Sequence, residues 1–281
     1  LITGSTNYYP SAARTVLYQN NNGVLTAMGS GLSNAVDSAV AIADFDLDCY
    51  PDVAISGRNY GTGLFHNDGT GHFTLVQTLP AYAFGGLAAG DYDGDSWPDL
   101  LISGVGPQDY RTELWFNDQG VLWPSGNQFD GASARGVAWG DYDGDGVLDL
   151  ALVGSPDDGY SPPRIPYFSG VFHNDLSSAA PVPPVLMGLT AAVSGSEVTL
   201  SWMLPEGAPA GLSFNVRVGT VPFSGNVMSA PADPVTGTLK VAASGNAGWS
   251  GQWHLRNLAS STYYWSVQAV SSAYRGSPFA L

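Results

Sequence analysis

The stretch Gly140-Asp141-Tyr142-Asp143-Gly144-Asp145-Gly146-Val147-Leu148-Asp149 places aspartates at positions 1, 3, 5 and 9 of a short loop, with glycines between them. An apolar run, Gly136-Val137-Ala138-Trp139, leads in, and Leu150-Ala151-Leu152-Val153 leads out. Asp and Gly favour turns in their own right. Four converging carboxylates, however, repel by roughly 4 kcal/mol per pair at about 4 Å and an effective dielectric near 20. A hard cation removes that repulsion. Calcium takes about 6–8 oxygen ligands and tolerates irregular geometry, whereas magnesium prefers strict octahedra and keeps its waters. Asp141, Asp143, Asp145 and Asp149, with the position-7 carbonyl of Val147, therefore form a candidate Ca2+ site.

The pattern recurs twice upstream. Asp91, Asp93, Asp95 and Asp99 form one loop, with Trp97 at position 7, and Asp44, Asp46, Asp48 and Asp52 another, with Tyr50 at position 7. Up to three calcium ions are expected. Other landmarks share the same period. Leu1-Ile2-Thr3-Gly4 matches Ala54-Ile55-Ser56-Gly57, Leu101-Ile102-Ser103-Gly104 and Leu152-Val153-Gly154; Gly57 to Gly104 is 47 residues and Gly104 to Gly154 is 50. Val16-Leu17-Tyr18-Gln19-Asn20 matches Gly63-Leu64-Phe65-His66-Asn67, Glu113-Leu114-Trp115-Phe116-Asn117 and Gly170-Val171-Phe172-His173-Asn174. The spacing is that of a four-stranded propeller blade. One repeat reads as strands over Gly85–Gly90, Asp99–Ser103, Thr112–Phe116 and Val121–Trp123, with the aspartate loop as the hairpin of the first pair.

These residues resemble the FG-GAP or VCBS repeats of integrin-like β-propellers. The resemblance rests on Asp-Tyr-Asp-Gly-Asp with Asp four positions later, the Asp-Leu-x-x-x-Gly strand and the Phe-His-Asn-Asp strand end. It covers roughly residues 1–175 and implies a propeller fold, calcium in the blade loops and an extracellular setting. The first loop departs from the pattern, with Leu47 and Cys49 where glycine is favoured, which ranks the loops third, second, first. The chain opens in the second strand of a blade and closes after the third of another, giving about three and a half blades. Propellers typically have 4–8. Missing blades from a longer chain, or self-association into a filament or ring through open strand edges, would complete it.

Residues 177–184 (Ser-Ser-Ala-Ala-Pro-Val-Pro-Pro) read as a semi-rigid linker after the blades of 1–176. Beyond it, Glu197-Val198-Thr199-Leu200-Ser201-Trp202, Leu212-Ser213-Phe214-Asn215-Val216-Arg217-Val218 and Thr262-Tyr263-Tyr264-Trp265-Ser266-Val267-Gln268-Ala269 alternate as strands, an immunoglobulin-like sandwich over 185–281. This segment resembles a bacterial fibronectin type III domain. That likeness implies Trp202 as the core tryptophan, Tyr264 as the tyrosine-corner residue and long irregular loops over 219–250.

Composition agrees with an all-β chain. Of 281 residues, Lys240 is the only lysine, and Glu113, Glu197 and Glu206 are the only glutamates. Strong helix formers for a surface are thus scarce. A net charge of −15 argues against binding nucleic acid, which needs a basic face. No apolar run approaches the roughly 18 residues of a membrane-spanning helix. Cys49 is the lone cysteine, so no internal disulfide forms. A start at Leu1 reads as a processed or trimmed product.

His66 and His173 share one repeat position with Gln19 and Phe116, which reads as strand packing rather than catalysis. No nucleophile elbow, Walker loop, paired-cysteine site or His-Glu-x-x-His helix is present. The expectation is a non-enzymatic, extracellular, bacterial structural or adhesive protein. Its alternatives are a glycan-binding propeller using Trp97 or Trp123, or an accessory region of a larger secreted enzyme. Tyr18, Phe65, Trp115 and Phe172 are expected in blade cores and Trp139 between blades.

Overall fold

A computed structural model describes residues 2–4, 14–21, 23–58, 61–106, 110–130, 134–154 and 168–281. Among these the protein is all-β, in small antiparallel sheets. The first sheet joins β1 (Ile2–Gly4), β2 (Arg14–Asn21) and β3 (Val24–Met28) in chain order. The second joins β4 (Ala39–Ala43), β5 (Asp52–Gly57), β6 (Gly61–Asn67) and β7 (Phe73–Leu79). The third joins β8 (Leu87–Gly90), β9 (Asp99–Val105), β10 (Tyr110–Asp118) and β11 (Val121–Asp130). The fourth joins β12 (Ala134–Gly140), β13 (Asp149–Gly154) and β14 (Phe168–Phe172). Each of the last three opens with an aspartate-loop hairpin, pairing Ala43 with Asp52, Gly90 with Asp99 and Gly140 with Asp149.

These sheets stack as blades. The first strands of the last three lie side by side, β8 touching both β4 and β12. The strand that follows each loop is covered on both faces: β5 and the first six residues of β9 are buried throughout. That is why Asp-Val-Ala-Ile-Ser-Gly and Asp-Leu-Leu-Ile-Ser-Gly read as continuous apolar runs rather than as alternating strands. In β13 the pattern loosens, with Val153 60% exposed. Phe45, Leu64, Leu100, Ile102, Trp115 and Leu122 close one inter-blade core. Leu101, Leu114, Trp139, Leu148 and Leu150 close the next. Trp139 thus lies between blades, beside Tyr92 at 5.5 Å between ring centroids. Phe65 and Trp115 are buried, while Tyr18 and Phe172 are half-buried.

Residues 185–281 build two facing sheets, β15 (Met187–Ser194), β16 (Glu197–Met203) and β18 (Gln252–Leu255) against β17 (Ser213–Gly219) and β19 (Tyr264–Val270). Trp202, Leu200, Phe214, Val216 and Val267 fill the space between them. One expectation changes. Tyr264 is 43% exposed, whereas the Tyr263 hydroxyl donates to the Ala259 carbonyl at 3.0 Å. The hydroxyl-to-upstream-backbone bond that defines a tyrosine corner is therefore made by Tyr263. Residues 220–251 run as turns and isolated bridges.

The segment after β19 returns to the blades. The Ser272 carbonyl accepts from the Asp91 amide at 3.1 Å, and the Ser272 hydroxyl donates to the Ser96 carbonyl at 2.9 Å. The Tyr274 hydroxyl donates to the Ala89 carbonyl.

Candidate metal centres

The three aspartate loops fold on one hydrogen-bond plan. The position-1 carboxylate accepts from two amides inside its own loop: Asp44 from Asp48 and Cys49, Asp91 from Gly94 and Ser96, Asp141 from Gly144 and Gly146. Position 3 accepts from the position-5 amide at 3.2–3.3 Å, as Asp46, Asp93 and Asp143 each do. Position 5 accepts from the position-7 amide, joining Asp48 to Tyr50, Asp95 to Trp97 and Asp145 to Val147. Position 9 accepts from position 2 and from the asparagine ending the third strand. Asp99, for example, accepts from Tyr92 at 2.8 Å and Asn117 at 2.9 Å. Aspartate and its short side chain suit such local bonds to the backbone.

Those bonds satisfy the loop amides and leave lone pairs free. Carboxylate oxygens of Asp44, Asp46 and Asp48 lie within 4.8 Å of one another, as do those of Asp91, Asp93 and Asp99, and of Asp141, Asp143 and Asp145. An all-oxygen donor set of this kind suits a hard cation. Burial sharpens the point. Asp44, Asp52, Asp91, Asp99 and Asp149 are each no more than 3% exposed. Desolvation pushes Asp44 up to about 7 and Asp99 up to about 8, and the neighbouring carboxylates add to it. Asp52 and Asp91 are raised for the same first reason. Among the described residues no cationic group offsets the burial of Asp44, Asp91 or Asp99, whereas Asp52 has His66 nearby, and a divalent ion would supply the missing charge.

The backbone explains the glycines. Position 4 has φ of 59°, 82° and 82° at Leu47, Gly94 and Gly144; position 6 has 74°, 81° and 86° at Cys49, Ser96 and Gly146. The first loop thus keeps the shape of the other two while holding two side chains in the left-handed region.

Two features lie beyond the sequence reading. The imidazoles of His66 and His173 face the acidic loops rather than packing on a strand face. His66 Nδ1 lies 2.8 Å from Asp46 Oδ2 and 3.4 Å from Asp52 Oδ1. His173 Nδ1 lies 3.3 Å from Asp143 Oδ2 and 3.2 Å from Asp149 Oδ1. Desolvation disfavours the charged ring of His173, but Asp143 and Asp149 outweigh it and its pKa is raised. The substitution of Phe at position 116 hid this, because side-chain direction does not follow from residue type.

The second feature is the asparagine itself. Asn117 Nδ2 donates to Pro98 O at 3.0 Å and, across the blade boundary, to Phe45 O at 2.9 Å. Asn174 Nδ2 likewise reaches Leu148 O at 3.1 Å and Tyr92 O at 2.9 Å. Each asparagine so ties its own loop to position 2 of the preceding loop. The recurring aromatic-x-Asn strand end signals the position but not the partner. Of the two unmatched tryptophans, Trp123 is 59% exposed and Trp97 half-buried.

Residues 44–102 and 91–152 match the family model described as FG-GAP-like repeat. The chain therefore carries two FG-GAP-like repeats, whose spans take in all three aspartate loops. No curated protein matches the chain.

Proposed function

We propose that this is a calcium-stabilised, non-catalytic structural or adhesion module of an extracellular protein, with a fibronectin type III-like unit after its blades. The observation that carries the reading is the threefold repetition of one loop, each with three converging carboxylates and with its position-9 aspartate almost fully buried. An FG-GAP repeat is typical of extracellular proteins, and among the described residues no helix is long and apolar enough to cross a membrane. Calcium bound to the folded form alone stabilises it by mass action, by about 2.7 kcal/mol at a hundredfold excess over Kd. Calorimetric melting with millimolar calcium and after excess chelator tests it. A lower Tm in chelator is expected; an unchanged Tm counts against the role of the ion.

Self-association completes this reading. Position 2 of each loop is an aromatic, and the next blade covers the first two: Phe45 is 1% exposed and Tyr92 half-buried, while Tyr142 of the last loop is 62% exposed. A second copy, or further blades, would cover Tyr142 as β8–β11 cover Phe45. A glycan-binding reading is favoured by one observation, the exposed indole of Trp123, and a glycan array separates it from the structural one.

A further inference from the structure

We infer that the cleft between the third aspartate loop and the C-terminal unit binds a small carboxylate-bearing molecule. The cleft encloses about 570 Å³, within the range of roughly 300–1,000 Å³ usual for small-molecule sites, which favour such boundaries between units. One wall comes from the last blade, through Trp139 and Asp141; the other comes from Thr236, Thr238, Lys240 and Arg275. The second wall belongs to the irregular segment and the turn after β19, so neither unit forms the site alone.

Charge selects the ligand. The chain carries −15 overall and a single lysine, yet that lysine and Arg275 both line this cleft, against one carboxylate, Asp141. Asp141 is engaged by the amides of Gly144 and Gly146. Lys240 acts on Asp233 electrostatically. Among the described residues, Arg275 bonds only through its backbone, to Ser271, and its guanidinium lies over Gly146, where any side chain would collide with it. A guanidinium presents a planar fork that matches a carboxylate, and an ammonium in the same cleft adds a compact point charge. The Thr236 hydroxyl donates to the Thr238 hydroxyl at 3.0 Å, which leaves the Thr238 hydroxyl proton for a hydroxyl of the same ligand. None of this requires an ion in the loop.

Two sources share that chemistry, an acidic saccharide and a free carboxylic acid. Isothermal titration of the full chain with digalacturonate, succinate and neutral galactose distinguishes them. Binding of digalacturonate alone identifies the saccharide; binding of both acids identifies the carboxylate as sufficient. Lys240→Gln and Arg275→Gln, each with unchanged melting, are expected to weaken binding roughly tenfold or more. The inference is overturned if neither acid binds at millimolar concentration, if galactose binds equally well, or if both variants bind like the parent chain.

Discussion

Positions 4 and 6 of the aspartate loops hold left-handed backbone in every repeat, and only the third loop fills both with glycine. A non-glycine residue there costs roughly 1–2 kcal/mol. Cys49→Gly, at φ 74°, is therefore expected to raise stability by about 1 kcal/mol, read from a chemical denaturation midpoint. The same asymmetry bears on the ion. His66 lies 2.8 Å from Asp46, whereas His173 stands 3.3 Å from Asp143, so the imidazole competes harder for the position-3 carboxylate in the first loop. Asp143→Ala is expected to remove more calcium affinity than Asp46→Ala, as calorimetric titration would show; equal losses would refute the ranking of the loops. The aspartates and glycines of this geometry were legible residue by residue, because each serves its own backbone within a few positions. The histidines were not, since their partners lie on a different strand.

Between elements, the asparagine clip and the buried loop carboxylates decide how blades join. Asn117 is 2% exposed and donates to both Pro98 and Phe45, whereas among the described residues Asn67 Nδ2 donates to Pro51 alone. A buried acceptor left unpaired costs about 1–3 kcal/mol. Asn117→Ala should thus destabilise by about 1 kcal/mol or more beyond Asn67→Ala in matched denaturant melts. A second clip is made by Gln77, whose side chain donates to Leu122 O at 2.7 Å and accepts from Leu122 N at 2.9 Å, as a strand would. Acidity acts at this scale too. In chelated protein the pKa values of Asp44 and Asp99 are raised in the fold from 3.8 to about 7 and about 8. The folded state then binds protons more tightly than the unfolded one. Its stability should rise as pH falls from 8 towards 4, and be lost again as pH rises through the folded values. Calcium in excess should flatten or reverse that slope, because protons and the ion compete for the same oxygens. Calorimetry across pH with and without chelator would reveal the difference. Strand pairs and their hairpins were evident in sequence, since Asp-Gly punctuation and apolar runs are local signals; the asparagine clips span 72 and 82 residues and left only a recurring Asn.

For the whole molecule, the described residues before the linker form two four-stranded and two three-stranded sheets, with the aromatic of the last loop uncovered, and those after it form a three-stranded and a two-stranded sheet. Sedimentation at increasing concentration is expected to show association, and Tyr142→Asp to abolish it; a monomer throughout would end the proposal. The all-β class, the repeat, the three acidic loops and the change of sequence character beyond the 177–184 linker follow from sequence alone, because period, turn chemistry and charge spacing act over short stretches. Where the C-terminal unit sits was decided only in three dimensions. No pattern in Ser272, Tyr274 or Arg275 announces that they reach back to Ser96, Ala89 and the third loop. Those contacts join residues more than 120 positions apart in the chain, and their energy exists only once both partners are folded.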